Sequence, residues 1–129
     1  MTFNCTITVR GYELDSFGHV NNAVYLNYFE QARWEILKHL DLFDYFEKNR
    51  LVLVVAEATV RYSKEAKNFD ELEVRTDIKR EAPYLVFTHV IKNKADQEVV
   101  AKGTIKTLLV DHERIPHDIP DFFMSGPQR

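Results

Sequence analysis

Residues 22–40 read NAVYLNYFEQARWEILKHL, the stretch with the clearest structural signal in the chain. Apolar residues recur there at helical spacing, namely Tyr25, Phe29, Ala32, Ile36 and Leu40. With Leu26, Tyr28 and Leu37 the apolar arc covers roughly half of the helical wheel, more than a helix on a flat surface needs. The pattern therefore predicts a long helix over residues 22–40 that the rest of the chain wraps.

After this helix the apolar period changes. Residues 42–49 indicate a short helical or irregular connection, and later segments alternate as strands do. The predicted strands are 3–12, 51–62, 72–79, 84–92 and 98–111, with a hairpin turn at 94–97. One strand, one helix and four further strands favour an α+β fold with an antiparallel sheet of five to six strands, because strand and helix do not alternate.

Composition sets the class of protein. A chain of 129 residues fits one domain, 1–129, of which 115–129 should form an apolar C-terminal tail. No apolar run approaches the roughly 18 residues of a membrane span. A net charge of -3 argues against a nucleic-acid partner. A lone Cys5 and the absence of a basic-then-apolar start predict a cytoplasmic protein.

Several familiar kinds of site are not visible in the sequence. The serines lie in no Gly-x-Ser-x-Gly elbow, and Cys5 falls in a predicted strand. The five histidines show no metal-ligand spacing, and no glycine-rich nucleotide loop occurs. We therefore expect neither a serine or cysteine nucleophile nor a metal or cofactor.

The segment just before the helix, DSFGHVNN at residues 15–22, is the candidate site. A helix start leaves about four N–H groups without helical partners and can polarise an oxyanion. Asp15 adds a carboxylate beside it, although an Asp before a Gly turn also fits a purely structural turn, and Asn21 or Asn22 fits a helix cap. Further along, Arg33 falls within the apolar arc, and Glu30 is the nearest candidate partner for its charge.

The residues Val9-Arg10-Gly11-Tyr12, Asp15-x-x-Gly18-His19-Val20-Asn21-Asn22 and Tyr25-Leu26-x-Tyr28-Phe29-Glu30-x-Ala32-Arg33 carry a resemblance. They resemble the hotdog-fold acyl-CoA thioesterases of the 4-hydroxybenzoyl-CoA thioesterase family, and are most similar to its bacterial long-chain group. The resemblance implies a central helix inside a curved sheet. It also implies a homodimer with sheets joined edge to edge, active sites at the dimer interface, and further assembly to a homotetramer.

By position, the resemblance makes Asp15 the catalytic aspartate and gives the backbone N–H groups of Asn21 and Asn22 the role of polarising the thioester carbonyl. Glu30 is a second candidate base. The implied substrate contacts are His19, Phe17, Tyr25, Lys79 and Arg80, the last two standing for a basic cluster that holds CoA phosphates. One departure is the segment 64–70, where the family usually has Pro-Ala followed by Gly-Asp.

The implied reaction is hydrolysis of an acyl-CoA to a free acid and CoA, within fatty acid metabolism. Two alternatives stay open. One is a non-catalytic acyl-thioester binding module of the same fold. The other is an acyl-CoA hydratase, whose usual His-Phe-Pro-Gly or Asp-x-Asn-Pro-x-His patterns do not occur here. The residues do not choose between fatty and aromatic acyl groups, although the resemblance favours fatty ones.

Overall fold

The computed structural model describes residues 1–125. Its strands are β1 (Thr2–Thr8), β2 (Leu51–Tyr62), β3 (Glu71–Glu81), β4 (Tyr84–Asn93), β5 (Val99–Asp111) and β6 (Pro116–His117). The α-helices are α1 (Val24–His39) and α2 (Phe43–Asn49), and two short 3-10 turns span Gly11–Glu13 and Asp121–Met124. None of the helices in this part of the chain has the length and apolar character needed to cross a membrane.

All six strands form one antiparallel sheet in the order β1-β3-β4-β5-β2, with β6 paired to the end of β5. The inner face of α1 is buried against this sheet through Tyr25, Tyr28, Phe29, Ala32 and Ile36. The wrapped helix and the antiparallel α+β architecture predicted from the sequence are therefore confirmed.

Two predicted boundaries near the candidate site are wrong. The helix begins at Val24 rather than Asn22, because the Asn21 side chain accepts the N–H of Ala23 and closes a turn before the helix. The first strand ends at Thr8 rather than Tyr12. The chain leaves the sheet there because Glu13 reaches back to the N–H and guanidinium of Arg10, which closes a 3-10 turn.

The C-terminal segment returns to the same hydrophobic core. Ile119 is 5% exposed and Phe123 is 1% exposed. The predicted apolar tail at 115–129 thus packs on its own domain through Ile119 and Phe123, while residues 115–118 are exposed and residues 126–129 lie outside the described part. The single domain 1–129 stays a prediction.

A short polar chain crosses this core. His89 of β4 is fully buried, and its Nδ1 lies 2.7 Å from the Thr76 hydroxyl on β3. Its Nε2 lies 3.3 Å from the Arg33 guanidinium on α1. The partner of Arg33 is therefore His89 and not the predicted Glu30, which forms no ion pair with it within the described residues. The helix turns Arg33 toward the sheet, where the imidazole lies.

Candidate active site

Asp15 lies in a tight turn that fixes one of its carboxylate oxygens. Its Oδ1 accepts the backbone N–H of Phe17 at 2.9 Å and of His19 at 3.3 Å. The Asp15 N–H donates to the His19 carbonyl at 2.8 Å, and Gly18 provides the positive φ of 81° that the turn requires. Within residues 1–125 no hydrogen bond reaches Oδ2, so this oxygen is available for chemistry.

The start of α1 presents backbone N–H groups that have no acceptor among the described residues. The Asn22 N–H is one of them. Its neighbours are occupied, since the Asn21 N–H donates to the Glu13 carbonyl at 2.9 Å and the Ala23 N–H to Asn21 Oδ1 at 2.9 Å. The Tyr62 hydroxyl donates to the Asn22 carbonyl at 2.8 Å, which fixes the next peptide group.

Asp15 and Asn22 line one pocket of about 320 Å³, which we call the Asp15 pocket. It lies between the turn, the start of α1 and the chain segment that follows β2. Its lining residues are Asp15, His19, Val20, Asn22, Tyr25, Tyr62, Ser63, Lys64 and Glu65. The structure thus brings together four of the residues predicted from the sequence, namely Asp15, His19, Asn22 and Tyr25.

Neither the Tyr25 hydroxyl nor the Lys64 ammonium on the wall of this pocket is free to act as a counter-ion for Asp15. Burial raises the pKa of Tyr25 to about 12, with Tyr62, Glu65 and Asp15 nearby adding to the shift, so its hydroxyl stays protonated. Lys64 forms ion pairs with Glu98 and with Asp96. A carboxylate at Asp15 therefore faces no dedicated counter-ion in this pocket.

Behind the pocket, Glu13 supports both the turn and the helix. Glu13 is 6% exposed, and its carboxylate accepts a hydrogen bond from the Tyr28 hydroxyl at 2.8 Å and pairs with Arg10 at 3.0 Å. Burial alone would raise the pKa of Glu13. Hydrogen bonds from the Arg10 N–H, the Arg10 guanidinium and Tyr28 outweigh it and leave the pKa below its usual value. The Glu13 carbonyl also accepts a hydrogen bond from the Asn21 N–H, so Glu13 connects the turn to the helix start.

Three predicted site residues do not reach the Asp15 pocket in this chain. The Asn21 N–H is engaged by Glu13, so the predicted donor role of Asn21 is wrong. Phe17 is 82% exposed and is not among the residues that line the pocket, and the turn uses only its backbone N–H. Glu30 lies farther along α1 and lines a different cavity.

Lys79 and Arg80 lie away from the Asp15 pocket of the same chain, and their predicted contact with CoA phosphates stays a prediction. They lie at the far end of β3, while the Asp15 turn contacts the segment just before its start. At about 3.3 Å per residue, nine residues of strand separate Glu71 from Arg80 by roughly 30 Å. Arg80 is also occupied, since it pairs with Asp121 and donates to the Ile119 carbonyl at 3.0 Å. It anchors the C-terminal turn and does not contribute to the Asp15 pocket.

Sequence reasoning missed Glu13, Tyr62 and Glu65. Tyr62 ends a predicted strand, and only the strand order brings it over the helix start, 40 residues away in sequence. The departure from the family pattern after β2 was the one signal pointing to residues 63–65. Elsewhere, burial raises the pKa of the Cys5 thiol to about 12, with Glu35 adding to the shift, which makes this cysteine a poor nucleophile.

The fold and the Asp15 pocket together define the class of protein to which this chain belongs. A single long helix enclosed by one curved antiparallel sheet is the hotdog fold, and the site at its helix start combines a carboxylate with an unused N–H. The chain belongs to the thioesterase-like superfamily, whose sequence model matches residues 9–126.

Individual relatives agree with this membership. The long-chain acyl-CoA thioesterase FadM of Escherichia coli strain K12 is 32% identical over 106 residues, covering 81% of this chain and 80% of FadM. The acyl-CoA thioester hydrolase YbgC of Escherichia coli O6:H1 is 31% identical over 115 residues, covering 84% of this chain and 82% of YbgC. The crystal structure of YbaW, a probable thioesterase from Escherichia coli, matches with a TM-score of 0.82 at 29% identity, covering 88% and 87% of the two chains.

Proposed function

We propose that this protein hydrolyses an acyl-CoA thioester to a carboxylic acid and CoA in the Asp15 pocket. The observation that carries the proposal is that the unbonded Oδ2 of Asp15 belongs to the same pocket as the unpaired N–H of Asn22. Membership of the thioesterase-like superfamily and the names of FadM and YbgC support the same chemistry.

The Asn22 N–H would bind the thioester oxygen as negative charge develops on it, with the positive helix start adding to the effect. Asp15 either takes a proton from an attacking water or attacks the carbonyl itself to give an anhydride that water then opens. In both routes the C–S bond breaks and CoA leaves as a thiolate. A thiol has a pKa near 8.5, so departure needs little help from a general acid, and one carboxylate suffices.

The decisive experiment compares Asp15→Asn with Glu65→Gln, a second carboxylate in the same pocket. We expect Asp15→Asn to lower thiol release from acyl-CoA by about 100- to 10,000-fold, the usual contribution of a general base, while its unfolding midpoint stays unchanged. Glu65→Gln should keep most of the activity. Near-normal turnover in Asp15→Asn would show that Asp15 only stabilises the turn and takes no part in the reaction.

Analysis of the products formed by the wild-type protein distinguishes the proposed hydrolase from the two alternatives, a binding module and a hydratase. Saturable binding of acyl-CoA without product would favour the acyl-thioester binding module. With an enoyl-CoA as substrate, addition of water across its double bond to give 3-hydroxyacyl-CoA, without thiol release, would favour the hydratase. Appearance of free acid and CoA in equal amounts is the result that the proposal requires.

Fatty acyl groups are the proposed substrates, since one relative is named a long-chain acyl-CoA thioesterase. A hydrolysis panel from short to long acyl-CoA, with benzoyl- and phenylacetyl-CoA beside it, tests this choice. A kcat/KM that rises with chain length supports it, and higher values for the aromatic thioesters would overturn it. Participation in fatty acid metabolism and a cytoplasmic location stay predictions that depend on this result.

We further propose a homodimer joined through β2. This strand is twelve residues long and lies at one end of the sheet, with Val52 and Val55 more than half exposed. Long apolar edge strands are usually covered in native proteins. Val55→Lys should therefore weaken association in sedimentation analysis, whereas Ile115→Lys, equally exposed but away from β2, should not. A monomeric wild-type protein would contradict the proposal, and the homotetramer stays a prediction.

A further inference from the structure

Three aromatic side chains differ from the other apolar residues of the surface because most of their area is exposed. Tyr12 and Phe17 are each 82% exposed and Phe69 is 80% exposed, whereas no other large hydrophobic side chain among the described residues exceeds 54%. We call these three residues the aromatic patch. Single exposed hydrophobic residues are common on protein surfaces. Here, however, the three most exposed ones lie on loops that contact one another.

Backbone hydrogen bonds hold these loops together at one end of the molecule. The loops are the 3-10 turn, the Asp15 turn and the turn before β3, which carry Tyr12, Phe17 and Phe69 respectively. The Phe69 N–H donates to the carbonyl of Val9, just before the 3-10 turn, at 3.1 Å. The end of the Asp15 turn forms a β-bridge from His19 to Lys67. The aromatic patch therefore lies at the same end of the molecule as the Asp15 pocket.

Two of the three rings lie far from the strand through which we propose the homodimer. Tyr12 follows β1 and Phe69 precedes β3, and these are the two strands farthest from β2 in the order of the sheet. Joining two copies through β2 therefore leaves Tyr12 and Phe69 uncovered.

Phe69 is exposed at a cost in backbone conformation. Its φ of 72° lies in the left-handed region, which glycine adopts freely and a bulky residue adopts only with strain. The turn is also fixed, since Asp70 Oδ2 accepts the Lys67 N–H at 2.9 Å and the Asn93 side chain at 3.1 Å. Burial does not compensate for the strain, because the side chain is in water. Strain of this kind points to a contact outside the chain.

The separation of the rings indicates what kind of partner they contact. Within the described residues, no ring of the aromatic patch pairs with another aromatic ring. A protein partner requires a closely packed, complementary surface. The boundary between headgroups and acyl chains in a lipid layer is fluid and accepts separate side chains, and aromatic rings are favoured at that depth. The arrangement therefore favours a lipid surface.

The charges on the same loops indicate the type of lipid. Loops 9–13, 15–18 and 67–70 carry Arg10 and Lys67 against Glu13, Asp15 and Asp70, and the whole chain has a net charge of -3. Arg10 is already paired with Glu13 at 3.0 Å. No basic cluster on these loops attracts anionic headgroups, so apolar burial has to supply the binding energy. Such binding is expected on zwitterionic lipid and is not weakened by salt.

We propose that the aromatic patch docks the protein on a zwitterionic lipid surface, with its three rings at the boundary between headgroups and acyl chains. The docking itself is independent of the proposed function. Its use rests on that function, because the docked protein holds the Asp15 pocket near acyl-CoA molecules whose acyl chains are dissolved in the lipid.

Cosedimentation with phosphatidylcholine vesicles tests the docking. Half of the wild-type protein should be bound at about 1 mM accessible lipid, which is weaker than the roughly 10⁴ M⁻¹ of one myristoyl chain. Tyr12→Ser, Phe17→Ser and Phe69→Asn should each weaken binding by about 10-fold, the lower limit for burial of an aromatic side chain. The matched control is Ile115→Ser, an exposed apolar residue beyond the far end of β5, which should bind as wild type does.

Three results would overturn the proposal. The first is wild-type protein that stays in the supernatant at about 5 mM lipid, well above the expected midpoint. The second is binding that requires phosphatidylserine and disappears at high salt, because a basic surface elsewhere would then be responsible. The third is a change in sedimentation coefficient of Tyr12→Ser or Phe69→Asn without lipid, which would show that the patch contacts a second copy of the chain.

Phe69→Asn also separates docking from folding. Asparagine adopts a left-handed φ more readily than phenylalanine does. The urea midpoint of this variant should therefore equal or exceed that of wild type while vesicle binding falls. Loss of stability together with binding would show that Phe69 supports the fold and would overturn its role as a lipid anchor.

Activity measurements separate docking from the proposed reaction. Tyr12→Ser and Phe69→Asn should hydrolyse dodecanoyl-CoA in free solution as wild type does. With the same substrate held in phosphatidylcholine vesicles, their rates should fall in proportion to the bound fraction of protein. If wild-type protein docks through the aromatic patch but hydrolyses no acyl-CoA, the proposed function fails and the docking stands. If hydrolysis is normal and docking is absent, only the docking fails.

Discussion

Replacing Gly103 by alanine should destabilise the protein through one contact. Gly103 of β5 pairs with His89 of β4, and the Phe29 ring of α1 covers both positions. A Cβ on Gly103 would lie 2.4 Å from Phe29 Cε2 and 2.7 Å from Cζ. The ring cannot move away easily, because it is fully buried and stacks on His89 with a centroid separation of 4.8 Å.

Two opposing effects decide the sign of the change. Gly→Ala stiffens the unfolded chain and alone would stabilise the protein by about 0.4–1 kcal/mol. Overpacking a close-packed core costs about 1–3 kcal/mol, and contacts this short place Gly103→Ala near the upper end. The net loss should be about 2 kcal/mol, which for a domain of this size lowers the unfolding midpoint by roughly 6–10 °C.

Urea unfolding of wild type and variant measures this loss directly. Gly11→Ala is the matched control, since its new Cβ would meet Asn68 at an ordinary 3.5 Å and should change stability by less than about 0.5 kcal/mol. Phe29→Leu should relieve the clash, so the double variant with Gly103→Ala should lose less than the sum of the single changes. Unchanged stability in Gly103→Ala, or additive losses in the double variant, would refute the reasoning.

Two further changes probe the support behind the Asp15 pocket. Glu13→Gln should cost about 2–3 kcal/mol in urea unfolding because it weakens the hydrogen bonds to Arg10 and Tyr28. The folded pKa of Glu13 is depressed, so its contribution is complete above the unfolded value near 4.3 and is lost as the pH falls through the folded value. The wild-type stability should therefore fall from about pH 5 downward more steeply than that of Glu13→Gln, and equal slopes would contradict this. Tyr62→Phe removes the hydrogen bond to the Asn22 carbonyl and should lower kcat of thioester hydrolysis by about 2- to 10-fold with little change in KM. A change in KM alone would show that Tyr62 does not position the helix start for the reaction.

Local patterns predicted the elements because the relevant interactions are close in sequence. The helical spacing from Tyr25 to Leu40 is a property of one segment, and its wide apolar arc required a surrounding sheet. The turn at Asp15 is equally local, since Gly18 supplies the positive φ and both N–H donors lie within four residues. These features could therefore be read from the sequence with little knowledge of the fold.

The rest of the site depends on contacts that span the chain. Whether a backbone N–H is free is decided by the neighbouring segment, and the Glu13 carbonyl removes that of Asn21 while leaving that of Asn22. A helical wheel placed Glu30 beside Arg33 but could not show that β4 presents a buried imidazole at the same level. The sequence pattern therefore suggested an ion pair with Glu30, whereas the fold places the Arg33 guanidinium against an imidazole whose pKa is lowered to about 3 and which is neutral. A pattern within one helix could not reveal this partner, because His89 is 56 residues away in sequence and only the pairing of β4 with β3 and β5 brings it under α1.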